Sequence, residues 1–208
     1  MKASEKLTRK KILDYFTIDG TPGGNQEWLP EWDMNMGGCA AVTACDVCIF
    51  ASRLNEKFKT LYPFDSENLS RMDFIKFASL MKPFLTPRYH GIDYLETYIC
   101  GFYDYMKKVK NNSLILEGIS GNADYEIFSE AIKNQIDKNF PVPFLMLNHH
   151  DAKLNDFEWH WFNLTGYEEI EGDMNVLTVT FSEYKWFSLR NMYDTRNERK
   201  GGIILIRS

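Results

Sequence analysis

The sequence has no long apolar run. Stretches such as Ile203-Ile204-Leu205-Ile206 fall far short of the roughly 18–20 residues that a membrane-spanning helix needs, so no membrane partner is expected. The N-terminal segment MKASEKLTRKKILDYF spreads its charges throughout and has no apolar centre, which does not read as a signal peptide. The expected compartment is therefore the cytoplasm, where the four cysteines stay thiols. A free thiol can act as a nucleophile; a bridged one cannot. Internal repeats and a Pro/Ser/Gly-rich linker are also missing, and 208 residues read as one domain over 1–208. Basic residues are in deficit: 24 Lys and Arg against 29 Asp and Glu give a formal net charge of −5. That argues against nucleic acid, whose phosphates call for a basic footprint. The clusters Lys6–Lys11 and Lys107–Lys110 are too short to reverse it. Aromatics, by contrast, make up 15% of the chain, which excludes a disordered polymer.

The order of elements follows from periodicity. Residues 7–18 mix basic and apolar side chains and read as a short helix or a strand. The turn-rich stretch Asp19–Asn25 and an irregular aromatic segment, Gln26–Trp32, lead to Gly37-Gly38, which closes that loop. Residues 39–55 are rich in Ala and Cys at helical spacing and predict a buried helix. Residues 71–82, ended by Pro83 and Pro87, predict a second helix. Residues 92–109 and 125–138 predict a third and a fourth. The pattern then changes to short apolar or alternating runs, predicting strands over 141–147, 160–167, 176–181 and 203–207, with the acidic 167–173 segment as a hairpin turn. Helices first and strands second predict an α+β fold.

Three residues carry candidate chemistry. Cys39 follows two glycines and opens the first helix. The positive end of a helix favours a thiolate, so this place predicts a lowered pKa, and glycines let backbone N–H groups face a carbonyl. Its bland alternative is a small core residue. His160 opens a strand, and a thiol nucleophile needs such an imidazole as general base and then acid; a satisfied strand histidine is the alternative. Gln26, in the loop before the helix, can supply an oxyanion donor beside the Cys39 N–H, although a loop glutamine by itself means nothing.

Together, GGNQEW…GGCAAVTACDV and PVPFLML…HWFNLTGY resemble the papain-like cysteine peptidases, on the branch close to the C39 peptidases. The matching features are Gln26, Gly38-Cys39, Pro141-Val142, His160-Trp161 and Gly166-Tyr167, across about residues 23–190. The resemblance implies a papain-like fold: a helical half over about 23–140, an antiparallel sheet half over about 141–208, and the site in the cleft between them. It also implies a cysteine-peptidase-like enzyme that hydrolyses a peptide or other amide or acyl substrate through an acyl-enzyme, with Cys39, His160 and Gln26 as its catalytic set. Two features depart from the pattern. Cys39-Ala40-Ala41 replaces the usual Gly-Pro after the nucleophile, and no Asn or Asp stands where one should orient the imidazole. Ser182 takes that place, Glu183 is a substitute that one step of register would turn away, and Asn163 falls on the opposite strand face.

Two other readings stay open: an acyltransferase using the same thiol, which needs a site that excludes water, and a degenerate domain that binds peptides or proteins without turnover. The remaining motifs read structurally. Cys45-Asp46-Val47-Cys48 lacks two further ligands for zinc and reads as core, so no metal and no cofactor is expected. His149-His150-Asp151 reads as a solvated turn or a reserve general base, and His90 as a loop residue. Trp28, Trp32, Trp159, Trp161 and Trp186 either line a substrate groove or fill its floor. The oligomeric state is not legible.

Overall fold

A computed structural model of the chain describes residues 9–88 and 91–208; His90 and Lys6–Thr8 lie outside them. The strands are β1 (Arg9–Ile12), β2 (Thr17–Ile18), β3 (Thr21–Pro22), β4 (Ile115–Ser120), β5 (Val142–Met146), β6 (His160–Ile170), β7 (Asp173–Thr180), β8 (Glu183–Ser188) and β9 (Gly202–Arg207). The helices are α1 (Trp32–Gly37), α2 (Cys39–Leu54), α3 (Arg71–Met81), α4 (Leu95–Lys108), α5 (Tyr125–Asp137) and α6 (Leu189–Tyr193). The class is α+β, with one antiparallel sheet in the order β4-β9-β5-β6-β7-β8 and β1 added beside β6. β2 and β3 form a separate small hairpin.

β6 is the spine of the sheet. Its first half pairs with β5, setting His160 opposite Met146, and its second half pairs with β1, setting Gly166 opposite Ile12. A register shift between Leu164 and Gly166 bends it against β7, which is how a bulge re-aims a strand. Neighbouring side chains of a strand point to opposite faces. Trp161 stacks on Tyr98 of α4 with ring centroids 4.4 Å apart, whereas Phe162 stacks on Phe144, which meets Phe128 of α5 edge-on. Helices α4 and α5 therefore cover opposite faces of the sheet. α2 lies between β6 and α3, and every residue from Cys39 to Ser52 is buried. That matches its small, apolar composition on all sides.

Several expectations are corrected here. The Gln26–Trp32 loop is followed by a helix, α1, rather than running irregularly to Gly38, and Gln26–Trp28 itself forms a single 3₁₀ turn. The undecided 7–18 region contains β1 and β2. β3 falls within the stretch expected as a turn, and two strands of the main sheet were not expected, β4 and β8. Both are edge strands with mostly exposed side chains, so neither shows the half-buried alternation by which a strand is recognised. The sheet thus draws β1 and β4 from outside residues 141–208. The 167–173 turn shrinks to Glu171-Gly172, both at positive φ, because β6 and β7 extend further than their apolar cores suggest. No helix among the described residues is long and apolar enough to cross a membrane.

Candidate active site

The site is assembled where α1 meets α2. Gly38 ends α1, its N–H donating to the Met34 carbonyl at 2.9 Å, and begins α2 with no side-chain cap. A Cβ at Gly38 would stand 2.3 Å from the Met34 oxygen, so only glycine lets the two helices join this closely. Its N–H is consequently spent on Met34 and does not face a ligand. The first N–H groups of α2 have no side-chain acceptor, and those of Cys39 and Ala40, with the N–H of Trp161, point at the Cys39 sulfur.

Those three donors favour a thiolate, but burial outweighs them. Cys39 is 4% exposed, and desolvation raises its pKa above the ordinary value. The sequence expectation of a lowered pKa is thus overturned. The helix end is present, but a thiolate there loses more solvation than three N–H groups restore. His160 is 6% exposed, and burial pushes its pKa down from 6.5 to about 4. At neutral pH both groups rest uncharged.

The imidazole is held on two sides. Its Nε2 lies 2.7 Å from Thr180 Oγ1, and the Phe181 ring lies flat on it, centroids 4.7 Å apart and 5° from parallel. Phe181 and Ser182 form the two-residue β7–β8 turn, with φ of 50° and 60°. Such hairpins favour Asn-Gly, because both central residues need positive φ; a phenylalanine there costs about 1–3 kcal/mol. That strain sets the ring against the imidazole. Thr180 therefore occupies the orienting position that the sequence left unassigned. Ser182 Oγ is buried without a partner, Glu183 pairs with Lys185, and Asn163 bonds Tyr15 and the Thr43 carbonyl instead. The partner of the imidazole is a hydroxyl rather than the expected amide or carboxylate, and it accepts a hydrogen bond equally well.

Gln26 is positioned by the turn that follows Asn25. The Asn25 side chain accepts from the Glu27 N–H at 2.9 Å, and Asn35 of α1 donates to the Glu27 carbonyl at 3.1 Å. Gln26 Oε1 is buried without a hydrogen-bond partner. Gln26, Cys39 and His160 line one cleft of about 780 Å³, together with Trp32, Met36, Trp159 and Phe181. Behind it, the same three residues border a small cavity with Asp46, Thr43 and Asn163. The three predicted site residues are thus brought together. Of the five tryptophans, Trp32, 79% exposed, and Trp159 line the cleft. Trp161 is core, Trp28 packs on Phe74, and Trp186 lies under Lys10.

Other candidates fall elsewhere. His149 accepts from the Asp151 N–H at Nδ1 and shares Nε2 with the Asn191 carbonyl, so both ring nitrogens serve its turn. Cys45 and Cys48 are buried, which raises both thiols. Among the described residues no three His, Cys, Asp or Glu side chains gather as a metal site, and all four cysteines are free. No family model matches the chain, and neither the curated proteins nor the solved structures compared with it give a match.

Proposed function

We propose that this chain is a thiol hydrolase of papain-like architecture, cleaving a peptide or other amide bond through a Cys39–His160 acyl-enzyme. The observation that carries the reading is the convergence of Cys39, His160 and Gln26, drawn from a helix start, a strand start and a loop, on one cleft. With Nε2–H donating to Thr180 Oγ1, Nδ1 keeps its lone pair for the thiol proton. Because both groups rest neutral, the proton moves from Sγ to Nδ1 as sulfur attacks the carbonyl carbon, rather than beforehand. The Cys39 N–H and the Gln26 amide then hold the oxyanion. The imidazolium returns its proton to the leaving amine, and water, deprotonated by the same nitrogen, hydrolyses the thioester.

A binding domain without turnover draws on the burial that raises the thiol pKa, and an acyltransferase on the dryness of the same pair. Iodoacetamide alkylation at pH 6–8, resolved by peptide mass spectrometry, tests the nucleophile. The expected result is that Cys39 is labelled despite its burial, and that His160→Ala slows this labelling while leaving that of exposed Cys100 unchanged. Labelling confined to Cys100, or a Cys39 rate indifferent to His160→Ala, overturns the proposal in favour of the binding domain. If Cys39 passes, mass analysis of the thioester's fate with water against an added amine separates hydrolase from acyltransferase.

A further inference from the structure

Asp46 is the one acidic residue of α2, 3% exposed, and no step of the proposed chemistry uses it. It stands two helical turns after Cys39, on the face that also carries Thr43. Its Oδ1 accepts from the Gly24 N–H at 2.9 Å, and its Oδ2 from the Tyr15 hydroxyl at 3.2 Å. The Tyr15 oxygen in turn accepts from Asn163 Nδ2 at 3.2 Å, and the same amide reaches the Thr43 carbonyl at 3.4 Å. Gly24 lies two residues before Gln26, and Asn163 three after His160. The backbone there abuts the carboxylate: a Cβ at Gly23, whose φ is +62°, would stand 2.6 Å from Oδ2, and one at Gly24 would stand 1.9 Å from Phe74.

Resting on the active-site reading above, we propose that Asp46, as the carboxylate, is a positioning residue that locks the Gln26 loop and the His160 strand onto the Cys39 helix. Each oxygen accepts from one donor, the Gly24 N–H and the Tyr15 O–H, which is the pattern an ionised carboxylate satisfies. Protonation puts a hydrogen on one oxygen, where it opposes the Gly24 N–H or the Tyr15 O–H, and the loop loosens. The groups facing Asp46 are Tyr15, Tyr184 of β8, Tyr98 of α4, Cys45 on its own helix, and Cys39 and His160 across the small cavity. None of them carries a positive charge at neutral pH, and burial raises the Asp46 pKa from 3.8 to about 7. The lock therefore opens in mildly acid solution, well above the pH at which His160 takes its proton.

The test follows the Gly24 amide by ¹H–¹⁵N NMR from pH 5 to 9, alongside Cys39 alkylation, in the wild type, Asp46→Asn and Tyr15→Phe. The Gly24 signal is expected to titrate near pH 7 in the wild type, at a higher pH in Tyr15→Phe, which removes a donor to the carboxylate, and to stay still in Asp46→Asn. Cys39 alkylation is expected to fall about tenfold in Asp46→Asn at pH 8, within the roughly hundredfold that a misplacement of about 1 Å can cost. Its acid limb should move from about 7 towards the lower value of His160. A Gly24 amide that does not titrate, or that titrates alike in Asp46→Asn, overturns the lock. An unchanged Cys39 rate in Asp46→Asn overturns its positioning role. A Gly24 amide that titrates as expected beside an unreactive wild-type Cys39 upholds the lock and overturns the hydrolase reading instead.

Discussion

Two buried groups of opposite sign make the stability of this protein depend on pH in opposite directions. Asp46 holds its proton to about pH 7 in the folded chain but loses it near 3.8 when exposed. Between those values the folded state binds the extra proton, so its contribution to stability, full below pH 4, is lost as pH rises to 7. His160 accepts a proton near 6.5 when exposed and only at about 4 when folded. Between those values the unfolded state binds the extra proton, so stability is lost as pH falls. Each pH unit of difference is worth about 1.4 kcal/mol. Asp46 therefore withdraws about 4 kcal/mol as pH rises from 4 to 7, and His160 withdraws about 3 kcal/mol as it falls from 6.5 to 4. From pH 4 to 6.5 the two slopes nearly cancel. Asp46→Asn unmasks the histidine: relative to wild type it should gain about 1.4 kcal/mol per pH unit from 4 to 7. His160→Gln should gain relative to wild type as pH falls from 6.5 to 4. Urea unfolding at half-unit pH intervals measures both differences. Differences that do not change with pH would refute the claim that burial governs these two groups. The same Asp46→Asn variant that gains stability relative to wild type as pH rises should be the less reactive at Cys39, the exchange expected where a buried charge serves a site.

Thr180→Val keeps the shape of the side chain and removes the hydroxyl from His160 Nε2. Leaving that buried nitrogen unpaired should cost about 1–3 kcal/mol and slow Cys39 alkylation, whereas Thr180→Ser should restore both; equal alkylation in all three would show that the 2.7 Å contact does not orient the ring. Phe181→Asn suits positive φ and removes the stacked ring. The His160 Hε1 resonance should then titrate above about 4 and closer to 6.5, because water reaches the imidazole; an unmoved titration would mean that other neighbours keep it dry.

The helices α2, α3, α4 and α5 and the strands β5, β6, β7 and β9 were legible because each carries either an apolar periodicity or, as in fully buried β5, a continuous apolar run. The ends were less so. α4 begins at Leu95 rather than Ile92, where the segment stays extended and the Ile92 carbonyl accepts from Trp161 Nε1. β4 and β8 bury too little to leave a pattern. The site was half legible. Cys39, His160 and Gln26 stand at element boundaries marked by glycine or aromatic punctuation, so sequence could nominate them. Asp46 leaves a signal in the sequence, an acid inside an otherwise apolar helix, since a charge there needs buried donors. Thr180 and Phe181 left none, because a threonine ending a strand and a phenylalanine in a turn are unremarkable until the imidazole lies between them.

The sequence by itself determined the α+β class, the order of the four long helices and four main strands and the residue types available for thiol chemistry, because local periodicity and punctuation are written along the chain. Tertiary structure decided the state of those residues. Whether a thiol at a helix start is acidic depends on how much water its neighbours exclude, and here the sheet and Phe181 exclude enough to keep Cys39 and His160 neutral. It also decided which distant segments share one hydrogen-bond chain, joining Gly24, Asp46, Tyr15 and Asn163 through contacts that no spacing along the sequence encodes.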